Sequence, residues 1–138
     1  MNNETLTIEV LAPDQKILGR EIEECTAPGF EGEFGVLPGH APLFVKIKTG
    51  VLKFIEKGKN HYLAVSGGLS EVTGKNVVVL TEKALFSDKI DLKKAEREKR
   101  DAENRIKSLS QKDKEYDRAM EDLEWATACI NASKEGGK

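Results

Sequence analysis

The hydrophobic period of this 138-residue chain changes once, near Ser87 and Asp88, and that change limits what it can fold into. Up to about Leu85 the apolar residues recur mainly at every second position, as on a strand with one covered face. Leu6, Ile8 and Val10 alternate with Thr7, Glu9 and Leu11. From Asp91 onward there is no proline, and no glycine before Gly136. There Leu92, Ala95, Lys99, Ala102, Ile106 and Leu109 step by three and four. So do Tyr116, Ala119 or Met120, Leu123, Ala126 or Thr127, and Ile130. Those spacings line one face of a helix. The chain therefore reads as α+β. An N-terminal β-sandwich, a flattened barrel of short strands, is expected over residues 1–87. A C-terminal antiparallel α-helical hairpin is expected over 88–138.

Turn residues set the expected strand ends. Ala12-Pro13-Asp14-Gln15 ends a first strand, and short strands follow at 17–18 and 22–26. Gly50 divides 44–49 from 51–56, Lys57-Gly58-Lys59-Asn60 is a hairpin turn, and Gly67-Gly68 separates 61–66 from 69–73. The run Val77-Val78-Val79-Leu80 has no polar alternate, so burial on both faces is expected. Polar residues 108–113 break the helical phase and predict the hairpin's loop. Asp91 and Asp113 are placed to cap the two helices. The helical stripe is rich in alanine, which buries little area, so the hairpin should depend on docking for its stability.

Residues 27–43 hold four glycines and three prolines among a few bulky apolar side chains. Such a segment is expected to be a specific loop system with little regular ladder inside it. Elsewhere the chain shows no catalytic constellation. The glycines of the loop lack the Gly-Lys-Ser/Thr ending of a phosphate loop, and Ser66-Gly67-Gly68 is not a nucleophile elbow. Glu31 and Glu33 form a carboxylate pair, but on a glycine-rich loop such groups more often meet a partner's charges or solvent. His40 and His61 have no neighbour at zinc-ligand spacing, so no metal site is expected. Cys25 and Cys129 are expected to be reduced thiols. Twenty-two basic residues against 24 acidic ones give a net charge of −2, which argues against a general nucleic-acid binder. No apolar run approaches the roughly 20 residues of a membrane span, so no direct membrane insertion is expected. The start Met1-Asn2-Asn3-Glu4-Thr5 lacks the features of a signal peptide, and a cytoplasmic-type compartment is the default.

The string Glu31-Gly32-Glu33-Phe34-Gly35-Val36-Leu37-Pro38-Gly39-His40-Ala41-Pro42 closely resembles the E-G-E-x-G-x-x-P-G-H-A-P signature of the epsilon subunit of F-type ATP synthases. Lys48-Thr49-Gly50-Val51-Leu52 resembles that family's K-x-G-x-L/I hairpin. Tyr62-Leu63-Ala64-Val65-Ser66-Gly67-Gly68 resembles its strand ending in S-G-G. The resemblance covers nearly the whole chain and implies a non-catalytic subunit of the central rotor stalk of a proton-translocating, bacterial-type enzyme. Its implied place is peripheral, at the cytoplasmic face of the cell membrane. The implied partners are the gamma subunit and the c-ring, with the alpha and beta subunits added when the hairpin extends to restrain ATP hydrolysis. Glu31, Glu33 and His40 fall in the implied gamma and c-ring contact. Glu33 is the first choice for the c-ring loops and His40 a gamma contact. By themselves the two residues equally fit surface exposure and a structural role.

Some bacterial members of that family bind ATP through an I/L-D-x-x-R-A motif. Here Asp91 and Ala95 match it, while Lys94 stands where arginine is expected. Lysine keeps the charge and loses the planar fork that grips phosphate. With Asp91 equally suited to an N-cap, weak or absent ATP binding and no cofactor are expected. Arg97, Arg100, Arg105 and Arg118 are the candidate inhibitory contacts, though their charges are interleaved with acidic ones. Trp125 is expected to anchor the hairpin to the β domain. The rival reading is a stand-alone β-sandwich binding module that dimerises through its hairpin.

Overall fold

The first strand, β1 (Leu6–Ala12), follows its alternation, with Leu6, Ile8 and Val10 buried and Thr7 exposed. The computed structural model describes residues 4–137. Met1, Asn2 and Asn3, where a leader would begin, and Lys138 lie outside the described residues. Seven strands follow β1: β2 (Gln15–Ile22), β3 (Glu24–Gly29), β4 (Gly32–Val36), β5 (His40–Glu56), β6 (Lys59–Gly74), β7 (Asn76–Thr81) and β8 (Ala84–Phe86). A 3-10 turn at Ser87–Lys89 then leads to α1 (Leu92–Ser108) and α2 (Lys114–Gly136). The strands form one sheet in the order β2-β1-β7-β6-β5-β3-β4, with β8 paired to β6. β1 and β7 run parallel, and the other pairs are antiparallel.

Gly50 and Gly67-Gly68 do not end strands, contrary to expectation. β5 and β6 run through them in unbroken register, with Ile47 opposite Gly68, Thr49 opposite Ser66 and Leu52 opposite Leu63. What changes there is the covered face. In β5 the covered positions are Leu43 and Ile47, then Leu52 and Phe54. In β6 they are Leu63 and Val65, then Ser70 and Val72. Side chains alternate strictly along a strand, so a switch from odd to even without slippage means that both strands turn over together. Gly67 and Gly68, with φ of 85° and 139°, supply that turn. At Gly68 a Cβ would run into the Leu80 carbonyl. The two halves of the sheet close on one core that includes Leu6, Ile22, Val36, Leu52, Phe54 and Val77. Across the open side, Arg20 Nη1 donates to Glu56 Oε1 at 3.2 Å, tying β2 to the end of β5.

Two more expectations need correction. Residues 27–43 contain regular ladder: β3 and β4 form an antiparallel hairpin pairing Cys25 with Val36 and Gly29 with Gly32, and β5 starts at His40. The glycines accommodate the tight return and the prolines take positions the ladder tolerates. Val77-Val78-Val79-Leu80 is covered on one face only. Val77 and Val79 are buried, Val78 is half-buried and Leu80 is 49% exposed. Among the described residues no further layer packs outside β7, because α2 covers β5 and β6 instead.

The hairpin loop lies at residues 109–113. Asp91 caps α1 by accepting from the Lys94 N–H at 3.1 Å, and Asp113 caps α2 by accepting from the Glu115 N–H at 3.2 Å. Ala95 and Ala102 on α1 and Ala119 and Ala126 on α2 are buried along the seam between the helices. The next flank of α2, with Ala128, Cys129, Ile130 and Ala132, packs with Ala64 of β6 and Val51 of β5 in a second cluster separate from the sandwich core. Trp125 packs at its edge. The two thiols are free and sit in different clusters. Burial pushes the Cys25 thiol up to about 12, with Glu24 adding to it. Burial and then Glu98 push Cys129 up to about 11, against a smaller opposing effect from Lys83.

Candidate partner-binding surfaces

Along the half of the sheet beyond Gly68, the outward positions form two cross-strand rows. One runs Lys46, Leu69, Leu80, Leu11 across β5, β6, β7 and β1. The other runs Phe44, Glu71, Val78, Glu9. Phe44 is 67% exposed, and Phe30, in the β3–β4 turn, is 63% exposed. Phe30 joins the first row, since its N–H donates to the Lys46 carbonyl and the Lys46 ammonium stands 5.7 Å from its ring. The result is a largely apolar surface with Glu71 set within it, between Phe44 and Val78, and with Glu9 and Lys46 at the ends of the two rows. Contiguous exposed apolar side chains with a charged rim mark association surfaces more often than scattered single ones do.

Glu31 and Glu33 are both exposed at the β3–β4 end, beside Phe30, and neither forms an ion pair among the described residues. His40 stands at the other end of the same segment, half-buried opposite Gly74. Its N–H donates to the Leu37 carbonyl, and its Nδ1 lies 2.6 Å from the Ala41 carbonyl, which makes Nδ1–H the donor. Nε2 is left for another partner. The three residues belong to one segment but do not converge on one point.

The start of the hairpin shows no converging cradle. The Asp91 carboxylate is used as a cap, Lys94 lies 3.8 Å from Glu98, and Ala95 is buried in the hairpin–sheet cluster. Arg97 and Arg100 are exposed on α1. Arg105 bonds Asp122 across the two helices at 2.5 Å, and Arg118 lies 3.7 Å from Glu115 on its own helix. Among the described residues, then, Arg105 and Arg118 have an intramolecular carboxylate partner and Arg97 and Arg100 have none.

Two family profiles match the chain in succession. "ATP synthase, Delta/Epsilon chain, beta-sandwich domain" covers residues 5–87, and "ATP synthase, Delta/Epsilon chain, long alpha-helix domain" covers 88–134. The chain belongs to the ATP synthase delta/epsilon family. An ATP synthase epsilon chain of Citrifermentans bemidjiense is 42% identical over 113 residues, 82% of either chain. An ATP synthase epsilon chain 2 of Syntrophotalea carbinolica is 38% identical over 133 residues, 96% of either chain. Among solved structures, a chain of the Euglena gracilis mitochondrial ATP synthase (OSCP/F1/c-ring assembly) superposes with a TM-score of 0.79. Its identity is 26%, and the match covers 94% of this chain and 81% of that one. A chain of the Tetrahymena thermophila central stalk and c-ring assembly, 12% identical with a TM-score of 0.58, shares the fold. As a delta/epsilon family member the chain is a non-catalytic, rotor-stalk subunit of an ATP synthase, and the stand-alone module reading gives way.

Within this family member, Phe44, Leu80 and Phe30 are the candidate residues that sequence reasoning passed over. A signal for Phe44 was present, because it is in phase with Lys46 and Lys48 and so on their solvent side. Leu80 carried no such signal, since every neighbour in its run is apolar.

Proposed function

We propose that the outer apolar face is the surface that meets the gamma subunit, and that the exposed β3–β4 end meets the polar loops of the c-ring through Glu31 and Glu33. The chain then works at the cytoplasmic face of a bacterial membrane as a peripheral subunit. Among the described residues no helix is long and apolar enough to cross a membrane. The observation that carries this reading is the pair of cross-strand rows, whose Phe44 and Leu80 lie open on an otherwise well-packed sandwich. His40 stands where the segment leading from Glu33 joins β5, with Nε2 available to gamma.

The hairpin restrains ATP hydrolysis when it leaves the sheet and reaches the alpha and beta subunits, with Arg97 and Arg100 as first contacts. Arg105 and Arg118 follow once their internal pairs open. α2 meets the sheet through Ala128, Cys129, Ile130 and Ala132 with Trp125 at the edge, and so few side chains support a docked state that can be exchanged for another. ATP binds weakly or not at all, because Lys94 lacks the planar fork of the arginine expected there and the Asp91 carboxylate serves as a cap.

The test is the hydrolysis rate of a reconstituted catalytic head containing gamma, with the full chain or with the chain cut after Ser87. The sandwich core includes no helix residue, so the cut chain retains its fold. Slowing by the full chain alone supports the switch. Binding by both without slowing leaves a structural coupler and removes the inhibitory claim. A low-micromolar affinity for ATP in calorimetry overturns the nucleotide reading.

A further inference from the structure

α1 and α2 run antiparallel, so the end of α2 returns to the place where the hairpin leaves the β domain. That place is the 3-10 turn Ser87–Lys89. On one side of the turn Phe86 packs against the sandwich core, and on the other Ile90 packs in the hairpin–sheet cluster. The Ile90 N–H donates to the Ser87 carbonyl at 3.3 Å and closes the turn. The chain passes from β domain to hairpin only here, so a hairpin that swings off the sheet must pivot in this turn.

α2 closes on that pivot with its last residue. A Cβ on Gly136 would run into the Ser87 Oγ and stand 2.6 Å from the Ser87 Cβ, with the Tyr62 ring next at 3.9 Å. The hydroxyl could rotate aside, but the Ser87 Cβ is fixed to the backbone of the turn. Nothing else about position 136 asks for glycine. The residue is exposed and belongs to neither core. Neither it nor Gly137 has the positive φ with which glycine commonly ends a helix. Within a helix glycine is a poorer residue than alanine. What position 136 gains from glycine is the close approach to Ser87.

We infer that Gly136 and Ser87 form a clamp across the hinge, and that the hairpin stays docked because the end of α2 closes on the turn that must move for it to leave. That the clamp also governs the restraint of ATP hydrolysis rests on the reading that the freed hairpin is the brake. The docked helix is then held at three places along its length. Lys83 stands over Trp125 at one end, Ala128, Cys129, Ile130 and Ala132 pack in the middle, and Gly136 meets Ser87 at the other end. A methyl group at position 136 wedges that last contact open and shifts the population toward the free hairpin.

The experiment compares four full-length chains: the parent, Gly136→Ala, Ser87→Gly, and the double variant Ser87→Gly/Gly136→Ala. Alkylation of Cys129, buried under α2, reports release of the hairpin under native conditions. Peptide mass spectrometry separates it from Cys25, which lies in the sandwich core and is the internal reference. Expected is labelling of Cys129 about tenfold faster in Gly136→Ala, with Cys25 unchanged. Ser87→Gly alone should label like the parent, and the double variant should return to near that rate, because the wall that the methyl meets is gone. Helix propensity alone acts in the opposite direction, so a rate at or below the parent's in Gly136→Ala overturns the clamp. Fast labelling in the double variant as well, or equal acceleration at Cys25, also overturns it, since the methyl would then act elsewhere than on the hinge. The same chains are added to the reconstituted catalytic head containing gamma. If Cys129 is freed by Gly136→Ala and protected again in the double variant while the hydrolysis rate does not change, the clamp stands and the brake reading falls.

Discussion

The ammonium of Lys83, in the turn between β7 and β8, stands 4.6 Å from the centre of the Trp125 ring on α2. It joins sheet to hairpin where the apolar contact begins, one helical turn before Cys129. Exposed cation–ring contacts contribute about 0.5–1 kcal/mol, and a fully buried tryptophan truncated to alanine costs about 3–5 kcal/mol.

Trp125 is half-buried, so Trp125→Ala should weaken docking by about 2 kcal/mol, less than a full core truncation. Cys129 is 4% exposed under the docked helix and serves as the probe. Its alkylation under native conditions should speed up about thirtyfold in Trp125→Ala and several-fold in Lys83→Ala. An unchanged labelling rate in Trp125→Ala would mean that the indole does not hold the hairpin.

Stability should fall on the alkaline side, and Cys25 supplies the largest single part. Its thiol is raised from 9.0 in the open chain to about 12 in the fold, so the folded chain binds this proton more tightly. The resulting stability is complete below pH 9 and is lost as pH climbs from there toward 12, by about 4 kcal/mol at most. Cys129 acts in the same direction over a narrower window, ending near 11. Urea titrations of the parent and of Cys25→Ala should show a shallower alkaline decline in the variant. Parallel declines would assign the loss to other groups.

Gly68→Ala should be the most damaging single-methyl change in the sheet. The backbone at φ 139° suits glycine, and the new Cβ meets the Leu80 carbonyl. A loss above about 3 kcal/mol is expected, combining strain with a displaced strand. Thermal unfolding checks it, with Gly58→Ala as comparison, where φ is also positive (76°) and the added Cβ meets nothing. Equal effects at both positions would show that backbone strain alone matters.

Asp91→Asn should leave stability within about 0.5 kcal/mol and Asp91→Ala should cost about 1 kcal/mol, since asparagine caps as well as aspartate. Arg105→Ala should cost no more than about 1 kcal/mol, its pair with Asp122 being at the surface. Hydrogen exchange should nevertheless rise in the adjoining loop at residues 109–113. A large loss in Asp91→Asn would point to a role for the charge beyond the cap.

The class of fold and the point where strands give way to helices were legible because they rest on period alone. Both helix caps were legible because aspartate at that position has one strong local use. The continuous β5 and β6 were not. Gly50 and Gly67-Gly68 look like terminators in one dimension, and only the paired register shows that both strands turn over together there. The β3–β4 ladder was hidden by the same glycines and prolines that make its turn possible. At the candidate surfaces the sequence pointed to Glu31, Glu33 and His40 through their motif, but the apolar rows depend on which face of each strand the rest of the chain leaves open. That is a property of packing, and Leu80 in an all-apolar run gives no local hint of it.

The sandwich core and the hairpin–sheet cluster share no residue. A body built this way has one load path that bypasses its movable part. Twisting force entering the sheet at one face and leaving at the β3–β4 end is carried by the ladder and by the core beneath it. Lifting α2 exposes Ala64 and Val51 without loosening Leu52, Phe54 or Val65. The proposed coupler can therefore stay stiff whether its hairpin is parked or deployed, and a brake can be applied without slackening the shaft.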